Sequence, residues 1–257
     1  MAQEQVTSTE IGIRKIGLSD LWQSLREGLE DFNAKPSQGV FLCAIYPLFA
    51  LLLTLLLTGE NIVYIAFPVV AGFTLVGPVV SLVLFEVSRR REYGLDARWR
   101  SAFNFVHSSS FAAVLILSLV MMLLYVAWLY MAQKIYFGLF GTIPPVSISD
   151  FVDQVLTTRK GGALIVYGTA TGLIFAVVVL AVSVVSFPLL LDKQVTLVTA
   201  VRTSIKAVTS NSLMMATWGL IVVALLTAGA ILFLVGLAVV LPILGHATWH
   251  LYRKLVE

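Results

Sequence analysis

The chain has 257 residues, of which 59% are hydrophobic and 12% charged, with a formal charge of +3. So little polar surface excludes one large water-soluble domain and makes lipid the main solvent. The basic residues sit beside apolar runs and form no stripe, which speaks against nucleic acid as a partner, and Cys43 as sole cysteine excludes an internal disulfide.

In chain order, residues 1–17 read as a flexible polar tail and 18–257 as a single membrane domain. The first 37 residues show no basic start, apolar core and small-residue cleavage site, so no removable signal peptide is expected. Leu18, Leu21, Trp22, Leu25, Leu29 and Phe32 recur at helical spacing and predict an amphipathic helix. Membrane spans need roughly 20 apolar helical residues, because unpaired backbone groups are costly in lipid. Segments 39–58, 62–87, 111–131 and 162–191 meet that requirement. The final apolar run, Leu213 to His250, is long enough for two spans, 213–228 and 231–250, with a tight turn near Ala228, Gly229 and Ala230.

Charge placement favours six spans over five. With the N-terminus inside, Arg14, Lys15, Arg26, Lys35, the cluster Arg89, Arg90, Arg91, Arg98 and Arg100, and Lys193, Arg202 and Lys206 are cytoplasmic. Lys134, Arg159 and Lys160 lie outside, and Arg253 and Lys254 join the inner set when the last run crosses twice. The expected fold class is therefore all-α, a polytopic bundle of about six helices with both termini cytoplasmic.

A threefold pattern runs through it. Leu95, Trp99, Ala102, Phe103 and Val106, and then Val198, Val201, Ile205 and Val208, repeat the amphipathic preface of the first hairpin. Small polar breaks follow at Pro36–Gln38, Ser108–Ser110 and Ser210–Ser212. Each returning helix then holds a proline near its cytoplasmic end, Pro78, Pro188 or Pro242, where a missing N–H bends the helix or frees a carbonyl. The unit reads as interfacial helix, span and kinked span. In the outer loop, Lys134 to Gly161, Ser147 or Ser149 can cap a short helix with an apolar face of Phe151, Val152, Val155 and Leu156. Gly168, Gly172 and Ala176 allow a second helix to approach the fourth span closely.

Mid-depth positions hold only hydroxyls, such as Thr54, Ser118 and Thr171, which argues against a pump built on buried carboxylates. The ionisable residues gather at the cytoplasmic rim. Asp192 and His246 stand four residues after their prolines, while Glu86 and His250 stand eight after theirs, with His107 at similar depth. His246 and His250 are one turn apart, a spacing that lets two imidazoles share a metal or haem iron, with Glu86, Asp192 or His107 completing the set. The competing reading is structural: the histidines bond to carbonyls freed by the prolines, and Glu86 and Asp192 pair with Arg89 to Arg91 or Lys193. A zincin motif, nucleophile elbow, phosphate loop and Cys-x-x-Cys are all missing, so an enzyme has little support.

The stretch Leu241-Pro242-Ile243-Leu244-Gly245-His246-Ala247-Thr248-Trp249-His250-Leu251-Tyr252-Arg253-Lys254, with Ser186 to Asp192 and Ala200 to Ser204, resembles a bacterial integral membrane family, domain of unknown function 2189. The resemblance implies a bacterial inner (cytoplasmic) membrane protein and carries no established activity, cofactor or catalytic residue. Some members of such families bear a cytochrome oxidase subunit label. Three histidines are too few for a haem and copper framework, which leaves an accessory place beside a respiratory complex. Three functions follow as expectations: an accessory or scaffold component contacting other membrane subunits, a transporter or channel for an apolar or weakly polar solute, and a metal- or haem-binding protein using the rim cluster.

Overall fold

The computed structural model describes residues 11–34, 64, 68, 69, 72, 74–141, 147–231 and 236–257. The first expected span, 39–58, lies outside the described residues, as do most of 62–73, residues 142–146 and residues 232–235. Among the described residues all regular structure is helical, apart from one isolated bridge between Ile13 and Val256.

That bridge joins the two ends of the chain. Arg14 N–H donates to the Leu255 carbonyl at 2.9 Å and Glu257 N–H to Gly12 at 3.2 Å. Residues 11–17, read above as part of a flexible tail, are thus extended and tied down. Asn211 holds them on the other side, accepting from Ile16 N–H and donating to the Arg14 carbonyl. Residues 11–17 and the C-terminal residues therefore lie together at one end of the bundle, the rim.

Helix α1 (Leu18–Ala34) starts where Asp20 reaches back to accept from Gly17 N–H at 2.8 Å, half of a capping box. It buries Leu21, Ser24, Gly28 and Phe32 along the last helix, α11 (Leu237–Leu255), and leaves Leu18, Trp22 and Leu29 exposed. The apolar stripe read from the sequence is thus split between two faces. A Cβ on Gly28 would stand 2.5 Å from the Ala247 nitrogen, so the missing side chain sets the closeness of this crossing.

A 3-10 turn, Thr74–Val76, leads to the one-turn α2 (Gly77–Val80), with Pro78 in its first turn, and then to α3 (Leu82–Glu92). The second interfacial helix expected over 95–106 is only a four-residue helix, α4 (Trp99–Ala102), followed by the 3-10 turn Phe103–His107. Three serines follow it and favour a turn over further helix.

Helix α5 (Phe111–Phe140) continues nine residues beyond the expected end at Met131. Ala132 and Tyr136 keep a buried face there, and Lys134 lies over the Tyr130 ring. The helix stops at Gly141, whose φ of 83° is a backbone conformation open mainly to glycine. Ser147 caps α6 (Ile148–Thr157) by accepting from Asp150 N–H, as its sequence suggests. Thr158 then caps α7 (Arg159–Ser183).

The helical run breaks at Val184 and Val185 before α8 (Ser186–Asp192), because Pro188 has no N–H to offer the Val184 carbonyl. Ser204 of α9 (Leu197–Ser210) accepts from the displaced Val185 amide at 3.2 Å, and Ser186 donates to the Ala200 carbonyl. Helix α10 (Ser212–Ile231) passes straight through Ala228 to Ala230, where the sequence suggests a tight turn. Pro242 sits inside α11 without interrupting it, unlike the other two prolines.

Among the described residues, three stretches, α5, α7 with α8, and α10, are long and apolar enough to cross a membrane. The most apolar window of α5 is 22% buried and that of α10 is 17%, so their flanks need lipid or another protein. The tightest core lies toward the rim instead, where Leu21, Phe85, Phe187, Leu189, Trp249 and Tyr252 are buried together. On α7, a Cβ on Gly172 would stand 3.3 Å from the Trp128 ring of α5, a within-chain use of the small-residue pattern, whereas Gly168 faces open space.

Candidate functional site

Where α1, α3 and α11 cross at the rim, four side chains form a hydrogen-bonded chain. Asp31 Oδ2 lies 2.5 Å from Ser88 Oγ and 2.9 Å from His250 Nε2, while Ser88 Oγ lies 2.7 Å from His246 Nδ1. Arg91 completes the carboxylate, its Nη1 lying 2.9 Å from Oδ1. Counting protons assigns the roles. Ser88 has one hydrogen and gives it to Asp31, so it accepts from His246 Nδ1–H, and His250 Nε2–H donates to Asp31. Three bonds are thereby satisfied with an ionised carboxylate and no extra proton.

Burial by itself would raise the Asp31 pKa, but hydrogen bonds from His250 and Ser88 outweigh it and hold the carboxyl below its usual range. On the next turn of α1, Glu27 accepts from Lys254 Nζ at 2.9 Å and lies 3.5 Å from His250 Nδ1. The i, i+4 acids of α1 therefore face the i, i+4 histidines of α11, aligned by the close approach at Gly28.

A second node joins α3, α8 and α11. Glu92 accepts from Trp249 Nε1 at 3.0 Å and Arg253 Nε at 2.9 Å. Asp192 accepts from Tyr252 at 2.7 Å, Tyr93 at 3.2 Å and Arg253 Nη1 at 3.3 Å. The Asp192 charge, with burial adding to it, pushes the Tyr93 phenol up, so Tyr93 keeps its proton and remains a donor. Beside it, Glu86 is only 1% exposed and takes a two-pronged contact from Arg89, at 2.7 and 2.9 Å, plus one from Arg90 at 2.8 Å.

Of the five candidates from the sequence, His246 and His250 share one node, Asp192 belongs to the second, and Glu86 forms its own arginine cluster. His107 ends its 3-10 turn exposed, beside α4 and α5 and apart from these nodes. The histidines bond to Ser88 and Asp31 side chains in place of proline-freed carbonyls, and Lys193 donates to the Glu257 carbonyl in place of Asp192. Among the described residues, no three His, Cys, Asp or Glu side chains converge as metal ligands.

A cleft of about 580 Å³ opens over the first node, with Arg14, Glu27, Asp31, Arg91, His250 and Lys254 among its lining residues. Its charges are paired across the walls. Ser88 is buried and lies between the Asp31 carboxylate and the His246 ring. The arrangement is suited to holding helices together.

A membrane-length apolar helical bundle with a polar clasp at one end defines an integral membrane protein. Residues 66–192 match the model of the family described as predicted integral membrane protein (DUF2189), the one the sequence resembles. No curated protein and no solved structure matches the chain.

Proposed function

We propose that the protein is a non-catalytic structural component of a bacterial inner-membrane assembly, possessing six spans and cytoplasmic termini. The observation that carries this reading is the closed rim network: its acids and histidines are engaged in joining α1, α3, α8 and α11, while the flanks of α5 and α10 stay apolar and exposed. Such flanks suit lipid and the helices of neighbouring subunits, including those of a respiratory complex.

Parity supports six crossings. The bonds between residues 12–14 and 255–257 hold these two stretches together at one end of the bundle, which favours an even number. Tyr64 stacks on Tyr136 at 4.4 Å, Trp128 donates to the Pro68 carbonyl, and Tyr125 donates to the Val69 carbonyl. These contacts run in opposite directions along the two segments, so the chain from Tyr64 onward is antiparallel to α5. Ala34 lies at the rim and Tyr64, stacked on Tyr136, near the far end of α5, so these two residues stand at opposite ends of the bundle. The excess of arginine and lysine at the rim favours the cytoplasm for that side.

The test is purification of the tagged full chain in a gentle detergent, with native gels and mass spectrometry. A stoichiometric membrane partner, lost when Leu119 and Leu123 on the exposed α5 flank are changed to Ala, is expected. A solitary chain after detergent-free extraction into lipid discs contradicts the proposal.

A further inference from the structure

Helix α9 joins the rim ends of two membrane-length stretches, the one closing at Asp192 and the one opening at Ser212. It therefore lies at the membrane boundary. Its buried face is small and weakly polar, consisting of Ala200, Thr203, Ser204 and Ala207 against α7 and α8. Val198, Arg202, Ile205 and Thr209 share the opposite side, with Lys206 one turn after Arg202, and all five are exposed. Leu213, just beyond the helix, is also exposed.

The charge on this helix has one sign. Between Leu197 and Ser210 there are two basic residues and no acid, and Lys15 adds a third cation by donating to the Ser210 carbonyl. Helix α1 provides the contrast. It too exposes bulky apolar residues, Leu18, Trp22 and Leu29, but it carries Asp20, Glu27, Glu30 and Asp31 against Arg26, which pairs with Glu30 at 3.0 Å. A soluble anion would account for the cations of α9 alone. The exposed Val198, Ile205 and Leu213 beside them fit a molecule with acyl chains below its phosphate.

We propose that the outer face of α9 binds anionic phospholipid headgroups, Arg202 and Lys206 meeting the phosphate and Val198, Ile205 and Leu213 meeting the adjoining acyl chains. The test titrates the purified full chain with phosphatidylglycerol and with phosphatidylcholine of identical chains, counting bound lipid by native mass spectrometry. One basic residue near a lipid surface is worth about fivefold, so the pair gives a preference of roughly 30-fold for phosphatidylglycerol. R202Q/K206Q should abolish it, Arg202→Gln alone should lose about fivefold, and R202K/K206R and Arg26→Gln should keep it. The proposal is overturned if the parent shows no preference, if R202Q/K206Q retains it, or if millimolar inorganic phosphate displaces the lipid.

Discussion

Replacing Asp31 by Asn alters one atom at the point where three helices meet. The carboxylate accepts from Ser88, His250 and Arg91, and its side chain is 9% exposed. An amide offers one accepting oxygen, and its NH2 group must face at least one of those donors. One charge-assisted bond is lost, at about 1.5–3 kcal/mol, and the others fall to neutral strength. Arg91 is partly exposed and can turn toward water, which keeps the total near 2–4 kcal/mol. For a chain of this size that corresponds to a melting midpoint lower by about 5–12 °C. Thermal unfolding in detergent, followed by tryptophan emission, is the assay. A double-mutant cycle with Arg91→Gln should show coupling above about 1 kcal/mol, whereas a cycle with the separate Glu86 cluster should be additive. A midpoint shift under about 2 °C, or additivity with Arg91→Gln, would refute the clasp.

The pH dependence of Asp31 has a defined sign. Its native pKa lies below the ordinary 3.8, so its contribution is full at neutral pH and disappears only as pH falls below about 4, and Asp31→Asn should flatten that acid limb. Gly28→Val should separate α1 from α11, since a Cβ there meets the Ala247 backbone; protease cleavage within α1, blocked in the parent, reads this out. Ser204→Ala leaves the buried Val185 amide without its acceptor and should cost about 1–3 kcal/mol, measured as a lower melting midpoint. Glu86→Ala strands Arg89 and Arg90 beside an apolar core and should destabilise by about 2–3 kcal/mol in the same assay.

Local signals were legible where local physics decides. The period of Leu18 to Phe32 gave α1, Val198 to Val208 gave α9, and Ser147 gave the start of α6. The gathering of His246, His250, Asp192 and Glu86 at one end also followed, because proline-to-acid spacing and span length are properties of the chain itself. Their partners did not. Asp31 meets Ser88 across 57 positions and His250 across 219, and no helical period links α1 to α11. One hint was present: acids at 27 and 31 match histidines at 246 and 250 in spacing. The stripes did not show which face turns inward, since the inward faces of α1 and α9 rely on Ser24, Gly28, Ala200, Ser204 and Ala207 for close approach and leave much of the bulky apolar surface outside. Pro242, where the sequence suggests a bend or a freed carbonyl, lies within the continuous helix α11, whereas Pro188 follows a break.

The claim on which the account rests is that the rim, with both termini, faces the cytoplasm and that α6 lies across the membrane from it. With Cys43 replaced by Ser, single cysteines at Ser149 in α6 and Gln194 between α8 and α9 can be probed with a membrane-impermeant maleimide on spheroplasts. The account predicts labelling of Ser149→Cys in intact spheroplasts and of Gln194→Cys only after lysis. Labelling of Gln194→Cys from outside, or of both sites from one side, contradicts it.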